Sequence, residues 1–247
     1  MLRLLLVVLS CLATGAWGQS VHIEDLTWTE VRDAIARGRT TALVYAGSTE
    51  QKGPHMATGA HNVAAHYVGG RIAEKLGDTL VYPILPYAVT GDSLARTGHM
   101  RFPGSVSLTP ATYRDVMRQV ALSAIAAGFK EVYLMADHGD GQGELKRAAE
   151  ALEGQWARKG VHVRYVPDLY YKSQERVRQY LAEHRIASEA HAGSHDTSEL
   201  MFLDKSGKWI RGDKVAMQAT PEMGKIFLDY KVDAAVAQIR ALRASGK

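Results

Sequence analysis

The chain alternates between short apolar runs and longer stretches in which apolar residues recur three and four positions apart. The apolar runs, which predict buried strands, lie at 43–46, 79–85, 131–136 and 161–166. The stretches with helical spacing lie at 28–37, 62–76, 110–127, 142–159, 172–186 and from 221 towards the C-terminus. Because strands and helices alternate at the lengths of βαβ units, we expect an α/β fold. The specific prediction is a single-domain three-layer α/β/α sandwich with a mainly parallel central sheet.

Local signals mark where several of these helices begin. Thr27-Trp28-Thr29-Glu30 has the form of a capping box, and Thr109-Pro110 and Thr220-Pro221 each place proline after an N-capping threonine. Residues 87–108 show little periodicity and many turn residues. A segment of that length inside a domain is typical of a lid or binding loop, or of disorder.

The first eighteen residues differ from the rest of the chain. Arg3 is followed by an apolar stretch and by Ala16-Trp17-Gly18, which predicts a signal peptide (1–18) and export of the α/β domain at 19–247 to the periplasm or beyond. The single cysteine, Cys11, lies in this segment. Any metal in the remaining chain must therefore be bound by His, Asp or Glu.

The charge and the motifs of the sequence give no support to several common classes of function. Without Arg3 the chain has 29 Lys and Arg against 26 Asp and Glu, with no basic cluster, so nucleic-acid binding is not expected. No membrane association is expected after signal cleavage. The dinucleotide-binding, P-loop and serine-hydrolase motifs do not occur in the sequence.

Three stretches, 43–61, 132–141 and 189–198, combine imidazole and carboxylate groups. Because each stretch has the form of a buried strand that ends in a loop of a parallel sheet, these groups are expected to meet at one edge of the sheet. Neutral imidazole and carboxylate suit zinc, manganese or iron. The alternative is that these residues only cap helices and solvate turns. The residues of metal-binding type are Glu50, His61, His138, Asp140, His191, His195 and Asp196.

The same stretches resemble the motifs of the creatininase (creatinine amidohydrolase) family. The similarity lies in Gly47-Ser48-Thr49-Glu50-Gln51-Lys52-Gly53-Pro54-His55, Pro86-Tyr87, Phe102-Pro103-Gly104-Ser105, Ala136-Asp137-His138-Gly139-Asp140-Gly141 and His191-Ala192-Gly193-Ser194-His195-Asp196-Thr197-Ser198. These motifs occur in the order of the family across roughly residues 40–205.

The resemblance implies a metal-dependent amidohydrolase, commonly a homohexamer, that opens the C–N bond of a small and often cyclic amide. Glu50 and His138 match family metal ligands, and Asp140 and Asp196 stand at acidic positions of the family. Two positions depart from the pattern. Lys52 replaces a ligand histidine, and His61 replaces the aspartate that bridges two ions.

Because an ammonium cannot ligate a metal and repels a second cation, we expect one ion per chain. The expected ligands are Glu50, His61, His138 and either Asp140 or Asp196. Bound metal would lower the pKa of water and polarise the scissile carbonyl. Catalytic roles are expected for His191, Lys52 and Asp196, with Lys52 acting in proton transfer or polarising a carbonyl if burial lowers its pKa. Substrate contacts are expected from Tyr87, His99, His55 and Ser194.

Two other functions stay open at this point. The changes at Lys52 and His61 favour an inactive relative that binds a small ligand or serves as a periplasmic interaction protein. Some relatives cleave peptides, and an open cleft would favour that activity.

Overall fold

Four parallel strands form the sheet in a computed structural model that describes residues 20–188, 191–211 and 218–246. The strands are β1 (Thr41–Ala46), β2 (Thr79–Val81), β3 (Glu131–Ala136) and β4 (His162–Tyr165), in the spatial order β2-β1-β3-β4. The predicted signal peptide at 1–18 lies outside the described residues, as do 189 and 190 of the third predicted stretch.

Helices connect and follow these strands. Within the described ranges they are α1 (Trp28–Ala36), α2 (Ala60–Leu76), α3 (Pro110–Ala127), α4 (Gln142–Trp156), α5 (Tyr171–Glu183), α6 (Ser194–Leu203) and α7 (Pro221–Ala244). Short 3-10 helices lie at Ile23–Asp25, Gly98–Arg101, Ala157–Lys159 and Pro167–Leu169. The predicted caps are present, because the Thr27, Thr109 and Thr220 side chains each accept a backbone N–H of the first turn.

The two faces of the sheet bury different helices, which confirms the three-layer arrangement. Along β1, Ala42 and Val44 belong to a core cluster with residues of α1, α3 and α4. Leu43 and Tyr45 point to the opposite face and pack with residues of α2 and α7. This alternation is the period-two pattern of a strand covered on both sides.

The structure differs from the sequence prediction in two places. The predicted strand at 79–85 ends at Val81, since Pro83 has no N–H to donate to the ladder, and only a bridge from Ala46 to Leu85 continues the pairing. The stretch at 191–198 is not a loop after a strand. From Ser194 onward it is the first turn of α6, where the Asp196 carboxylate is favoured by the helix dipole.

Helices α6 and α7 approach each other closely at Gly224. A Cβ atom placed on Gly224 would lie 1.8 Å from the carbonyl oxygen of Ser198. Only glycine therefore permits this distance between the two helices. The contact fixes the position of α7 against the helix that carries Asp196.

The outer edge of β4 is covered by a side chain. The backbone N–H of Val163 donates to a carboxylate oxygen of Glu153 in α4 (2.6 Å), and the other Glu153 oxygen lies 2.8 Å from His162 Nδ1. In the described part of the chain, no helix is long and apolar enough to cross a membrane.

Candidate functional site

A cavity of about 510 Å³ opens at the carboxyl ends of β1 and β3, where parallel α/β sheets place their binding sites. The loop after β1 contributes Lys52, the turn after β3 contributes Asp137 and His138, and the first turn of α6 contributes His195 and Asp196. The other walls come from the segment at 87–108, from α5 and its N-cap residue Tyr170, from the residues just before α6, and from α7. Their lining residues include His99, Tyr170, Gln174, Arg178, His191 and Lys231.

Glu50 lies beneath this cavity and is 0 % exposed. One carboxylate oxygen accepts a hydrogen bond from Ser48 Oγ (2.8 Å) and lies 2.7 Å from His138 Nε2, while the other lies 3.2 Å from His61 Nε2. Burial alone would raise the pKa of Glu50, but the hydrogen bonds from His138 and His61 outweigh it and hold the pKa well below its usual range. Glu50 is therefore an anion at neutral pH.

His99 joins Glu50 and His138 to form a group suited to a metal ion. One ligand atom from each of these three residues lies within 4.8 Å of the other two. His99 Nδ1 is buried and has no hydrogen-bond partner among the residues that the structure describes. Burial lowers the pKa of His99, so its imidazole is neutral and able to ligate. Two imidazoles and one carboxylate form a ligand set that zinc uses in catalytic sites, so these residues fit one divalent ion.

Lys52 occupies the other side of Glu50. Its Nζ atom lies 3.0 Å from Asp196 Oδ2 and 3.7 Å from Glu50 Oε1, and its side chain is buried. Burial alone would lower the pKa of Lys52, but the carboxylates of Asp196 and Glu50 raise it above its usual value. Lys52 therefore stays a cation, and this pairing gives no support to the lowered pKa that a proton-transfer role requires. A second metal ion next to it would be repelled.

His61 is held between two carboxylates. Its Nδ1 atom lies 2.8 Å from Asp137 Oδ2, and its Nε2 atom contacts Glu50. Burial and the Lys52 charge would lower the pKa of His61, but the hydrogen bonds to Asp137 and Glu50 raise it. Both ring nitrogens of His61 thus contact carboxylates, and in this arrangement the imidazole orients Glu50.

A network of buried charges continues from His61 away from Glu50. Lys231 Nζ lies 2.8 Å from both Asp137 Oδ1 and Glu199 Oε2, and His195 Nε2 lies 3.0 Å from the other Glu199 oxygen. Burial would raise the pKa of Asp137, but Lys231 lowers it, and the two acids in turn raise the pKa of Lys231. Sequence reasoning missed Lys231 and Glu199. The available signal is that Lys231 lies four residues after Phe227 and three after Leu228, which is the spacing of the apolar face of α7.

The remaining predicted residues lie at different distances from this group. Asp140 lines the cavity, but its side chain is exposed and does not belong to the three-residue group. Tyr87 is 40 % exposed and does not line the cavity. His55 Nε2 lies 3.4 Å from Thr197 Oγ1, and Ser194 is buried at the start of α6, both outside the cavity lining. His191 lines the cavity and packs edge-on against His99.

Burial and the Lys52 charge lower the pKa of His191. The ring centroids of His191 and His99 are 4.6 Å apart. A neutral imidazole at this place is able to accept a proton from a substrate or from water.

Comparison with known proteins identifies the family of this chain. The sequence model of the family described as "Creatininase: Creatinine amidohydrolase" matches residues 24–238. The chain belongs to the creatininase family. Creatinine amidohydrolase from Pseudomonas putida is 30 % identical over 120 residues, covering 49 % of this chain and 45 % of that protein. The mycofactocin precursor peptide peptidase of Mycolicibacterium smegmatis is 27 % identical over 166 residues, covering 65 % and 57 %. The chain thus aligns with about half the length of these curated relatives.

Solved creatininase structures share the fold. A variant of creatininase superposes with a TM-score of 0.72 at 22 % identity, covering 92 % of this chain and 99 % of that one. A form named creatininase Mn gives a TM-score of 0.70 at 22 % identity and covers 90 % and 98 %. These similarities confirm the predicted creatininase-like α/β sandwich. The names of solved creatininases include a Zn-Zn type and a manganese form.

Proposed function

We propose that this chain hydrolyses the C–N bond of an amide with one divalent metal ion held by Glu50, His99 and His138. The observation that carries the proposal is the position of these three side chains, whose ligand atoms lie within 4.8 Å of one another beside the cavity. The family and the amidohydrolase from Pseudomonas putida support amide hydrolysis. Zinc and manganese are both compatible with this ligand set.

When bound, a divalent ion supplies polarisation of the amide carbonyl and a lower pKa for water. His191 is neutral and accepts the proton of the attacking water, and it then donates that proton to the leaving nitrogen. Lys52 keeps its positive charge beside Glu50 and stabilises negative charge that develops on the carbonyl oxygen. His61, fixed by Asp137, holds the Glu50 carboxylate in one orientation.

The first test is the metal content of the purified protein. We expect about one ion per chain after incubation with zinc or manganese, and we expect His138→Ala to lose it. His184→Ala is the matched control, because His184 directly follows α5, is exposed and lies outside the cavity lining. An unchanged metal content in His138→Ala would contradict the ligand assignment.

His99→Ala separates this ligand set from the one predicted from sequence, which used His61. Loss of zinc affinity in His99→Ala supports the set proposed here. Full affinity in His99→Ala, with loss in His61→Ala, supports the sequence prediction instead.

A double variant tests why one ion and not two is expected. Lys52→His combined with His61→Asp removes the ammonium next to Glu50 and adds two ligand groups. We expect the metal content to rise from about one ion to about two. No rise in stoichiometry would show that something other than Lys52 and His61 limits the site.

The second candidate function is an inactive creatininase relative that binds a small ligand. The buried Lys52–Asp196 pair favours it, because it fills the space beside Glu50 with a fixed cation. A wild-type protein that takes up neither zinc nor manganese would favour this function over hydrolysis.

We further propose that the chain is exported and that it forms a homo-oligomer. The support for export is the signal-like sequence at 1–18, and the support for oligomerisation is the family resemblance. N-terminal sequencing of protein from the periplasmic fraction, and light scattering of the purified protein, test the two statements.

A further inference from the structure

One face of α5 forms a wall of the cavity. Tyr170, Gln174 and Arg178 all line it and are spaced four residues apart, so they lie on the same side of the helix. Eight residues of helix span about 12 Å. The three side chains therefore form a row that leads from the metal-binding group towards the outer part of the cavity.

The inner end of this row is the Tyr170 hydroxyl, which lies over Gly139. A Cβ atom on residue 139 would be 2.6 Å from this hydroxyl, so glycine is what leaves room for it. Gly139 directly follows His138, so the hydroxyl lies beside the turn that carries this candidate ligand, in the same cavity. Burial, with a further contribution from Asp137, raises the pKa of Tyr170, which keeps the hydroxyl protonated and able to donate a hydrogen bond.

The outer end of the row is the Arg178 guanidinium. Its partner is Glu175, at 2.6 Å, and both side chains are more than half exposed. An exposed ion pair of this kind contributes little free energy, so a ligand carboxylate is able to displace Glu175 at small cost. Gln174 lies between the two ends and offers an amide group that both donates and accepts.

The cavity is larger than a small cyclic amide needs. A cavity of roughly 150 Å³ is enough to hold benzene, whereas this one has a volume of about 510 Å³. A single ring bound at Glu50 and His138 would leave the α5 side of the cavity unfilled. The volume fits a ligand that extends from the metal-binding group along α5.

We propose that this face of α5 recognises the substrate, and that the substrate is an extended acyl or peptide-like amide with a carboxylate at its far end. Tyr170 donates to an oxygen next to the scissile amide, Gln174 pairs with a second amide, and Arg178 binds the carboxylate. The inference rests on the proposed amide hydrolysis and names the substrate class of that same site.

The test compares two probes of equal length, N-acetyltriglycine and N-acetyltriglycinamide, which differ only in the terminal carboxylate. Calorimetric titration of the zinc-loaded full chain should show about five- to tenfold tighter binding of the carboxylate form. Arg178→Gln should remove that preference. Lys172→Gln, on the same helix but outside the cavity lining, should keep it. Equal affinities of the wild type for both probes would overturn the role of Arg178.

Tyr170 is tested by a pair of variants that act on one contact. Tyr170→Phe removes the hydroxyl, and Gly139→Ala displaces it, so both should weaken the two probes equally, by about three- to tenfold. Gly143→Ala is the matched control, since a Cβ there meets only the end of Arg147 at 3.8 Å. Unchanged affinity in both Tyr170→Phe and Gly139→Ala would exclude the Tyr170 contact.

Binding and turnover separate this inference from the proposed function. Tight binding of N-acetyltriglycine without hydrolysis supports the α5 wall and contradicts the amidohydrolase. Hydrolysis of a small cyclic amide, with no measurable binding of either tripeptide, supports the amidohydrolase and overturns the α5 wall.

Discussion

Two buried lysines, Lys52 in the loop after β1 and Lys231 in the middle of α7, are each placed between two carboxylates. Lys231 Nζ is 2.8 Å from both Asp137 and Glu199. Lys52 Nζ is 3.0 Å from Asp196 but 3.7 Å from Glu50. Lys231 is therefore neutralised by two close carboxylates, whereas Lys52 has one close partner, Asp196, and shares Glu50 with the candidate metal group. A lysine between two carboxylates is thus a purely structural pairing in α7, whereas in the loop after β1 the same pairing lies directly beside a candidate metal ligand.

The largest effect is expected from Lys231→Met. Removing the ammonium leaves two buried anions, Asp137 with His61 and a long hydrogen bond from Tyr45, and Glu199 with His195. The loss should lower the free energy of unfolding by about 3–5 kcal/mol. Lys225→Met on the same helix is the control, because the exposed Lys225–Asp229 pair contributes about 1 kcal/mol or less. Denaturant unfolding monitored by circular dichroism measures both. Similar losses in the two variants would contradict a stabilising role for Lys231.

A smaller loss is expected from Lys52→Met, about 1–3 kcal/mol, because Glu50 keeps its contacts with Ser48, His61 and His138. The same change removes a cation 3.7 Å from Glu50, so zinc should bind more tightly. Unfolding in the presence of a chelator and a zinc titration give the two numbers. Weaker zinc binding in Lys52→Met would show that Lys52 helps to form the metal group and does not oppose it.

The next prediction concerns Gly224, where α7, the helix that carries Lys231, packs closely against α6. Gly224→Ala places a methyl group against the Ser198 carbonyl and should lower the free energy of unfolding by about 1–3 kcal/mol. Gly154→Ala in α4 is the matched control, since a Cβ there has no neighbour within 4 Å. That control should stabilise the protein by about 0.5–1 kcal/mol through helix propensity. Thermal unfolding of both variants decides between a packing constraint and a general effect of glycine in helices.

The smallest effect is expected in how the difference in unfolding free energy between wild type and Lys231→Met changes with pH. Burial would raise the pKa of Glu199, but Lys231 and His195 hold it below its ordinary value. A lowered acid pKa contributes stability above the unfolded pKa and loses it as the pH falls through the folded pKa. In Lys231→Met the two acids have lost their shared cation and take up protons more easily, which relieves the repulsion between them. The gap between wild type and variant should therefore be largest near pH 7 and should narrow below about pH 4.5. A gap that widens on acidification would contradict this assignment.

The sequence predicted the parts of the site that follow regular strands. Glu50 and His138 come after β1 and β3, which are neighbours in the sheet, so parallel topology alone brings them together. The layers were predictable for the same reason, because apolar periodicity determines which helices cover a sheet.

Other parts of the site depend on tertiary contacts that periodicity does not encode. His99 lies in the segment at 87–108, whose path has no repeating pattern to reveal that it returns to Glu50. Asp140 lies two residues after His138, in the same turn. The Gln142 side chain donates hydrogen bonds to the carbonyls of Ala136 and His138 on the buried side of that turn, and Asp140 is on its exposed side. The position of Lys231 along α7 predicts a buried residue, whereas a lysine is normally exposed. Its burial is explained by its acidic partners on other elements, Asp137 and Glu199.

The Glu153 side chain at the outer edge of β4 affects how readily another strand could pair with this sheet. Because its carboxylate already accepts the outward N–H of Val163, an approaching strand finds this donor occupied and a negative charge beside it. A strand that paired with β4 at Val163 would first have to displace the Glu153 carboxylate, so this single side chain makes the edge less favourable for pairing with an extended peptide.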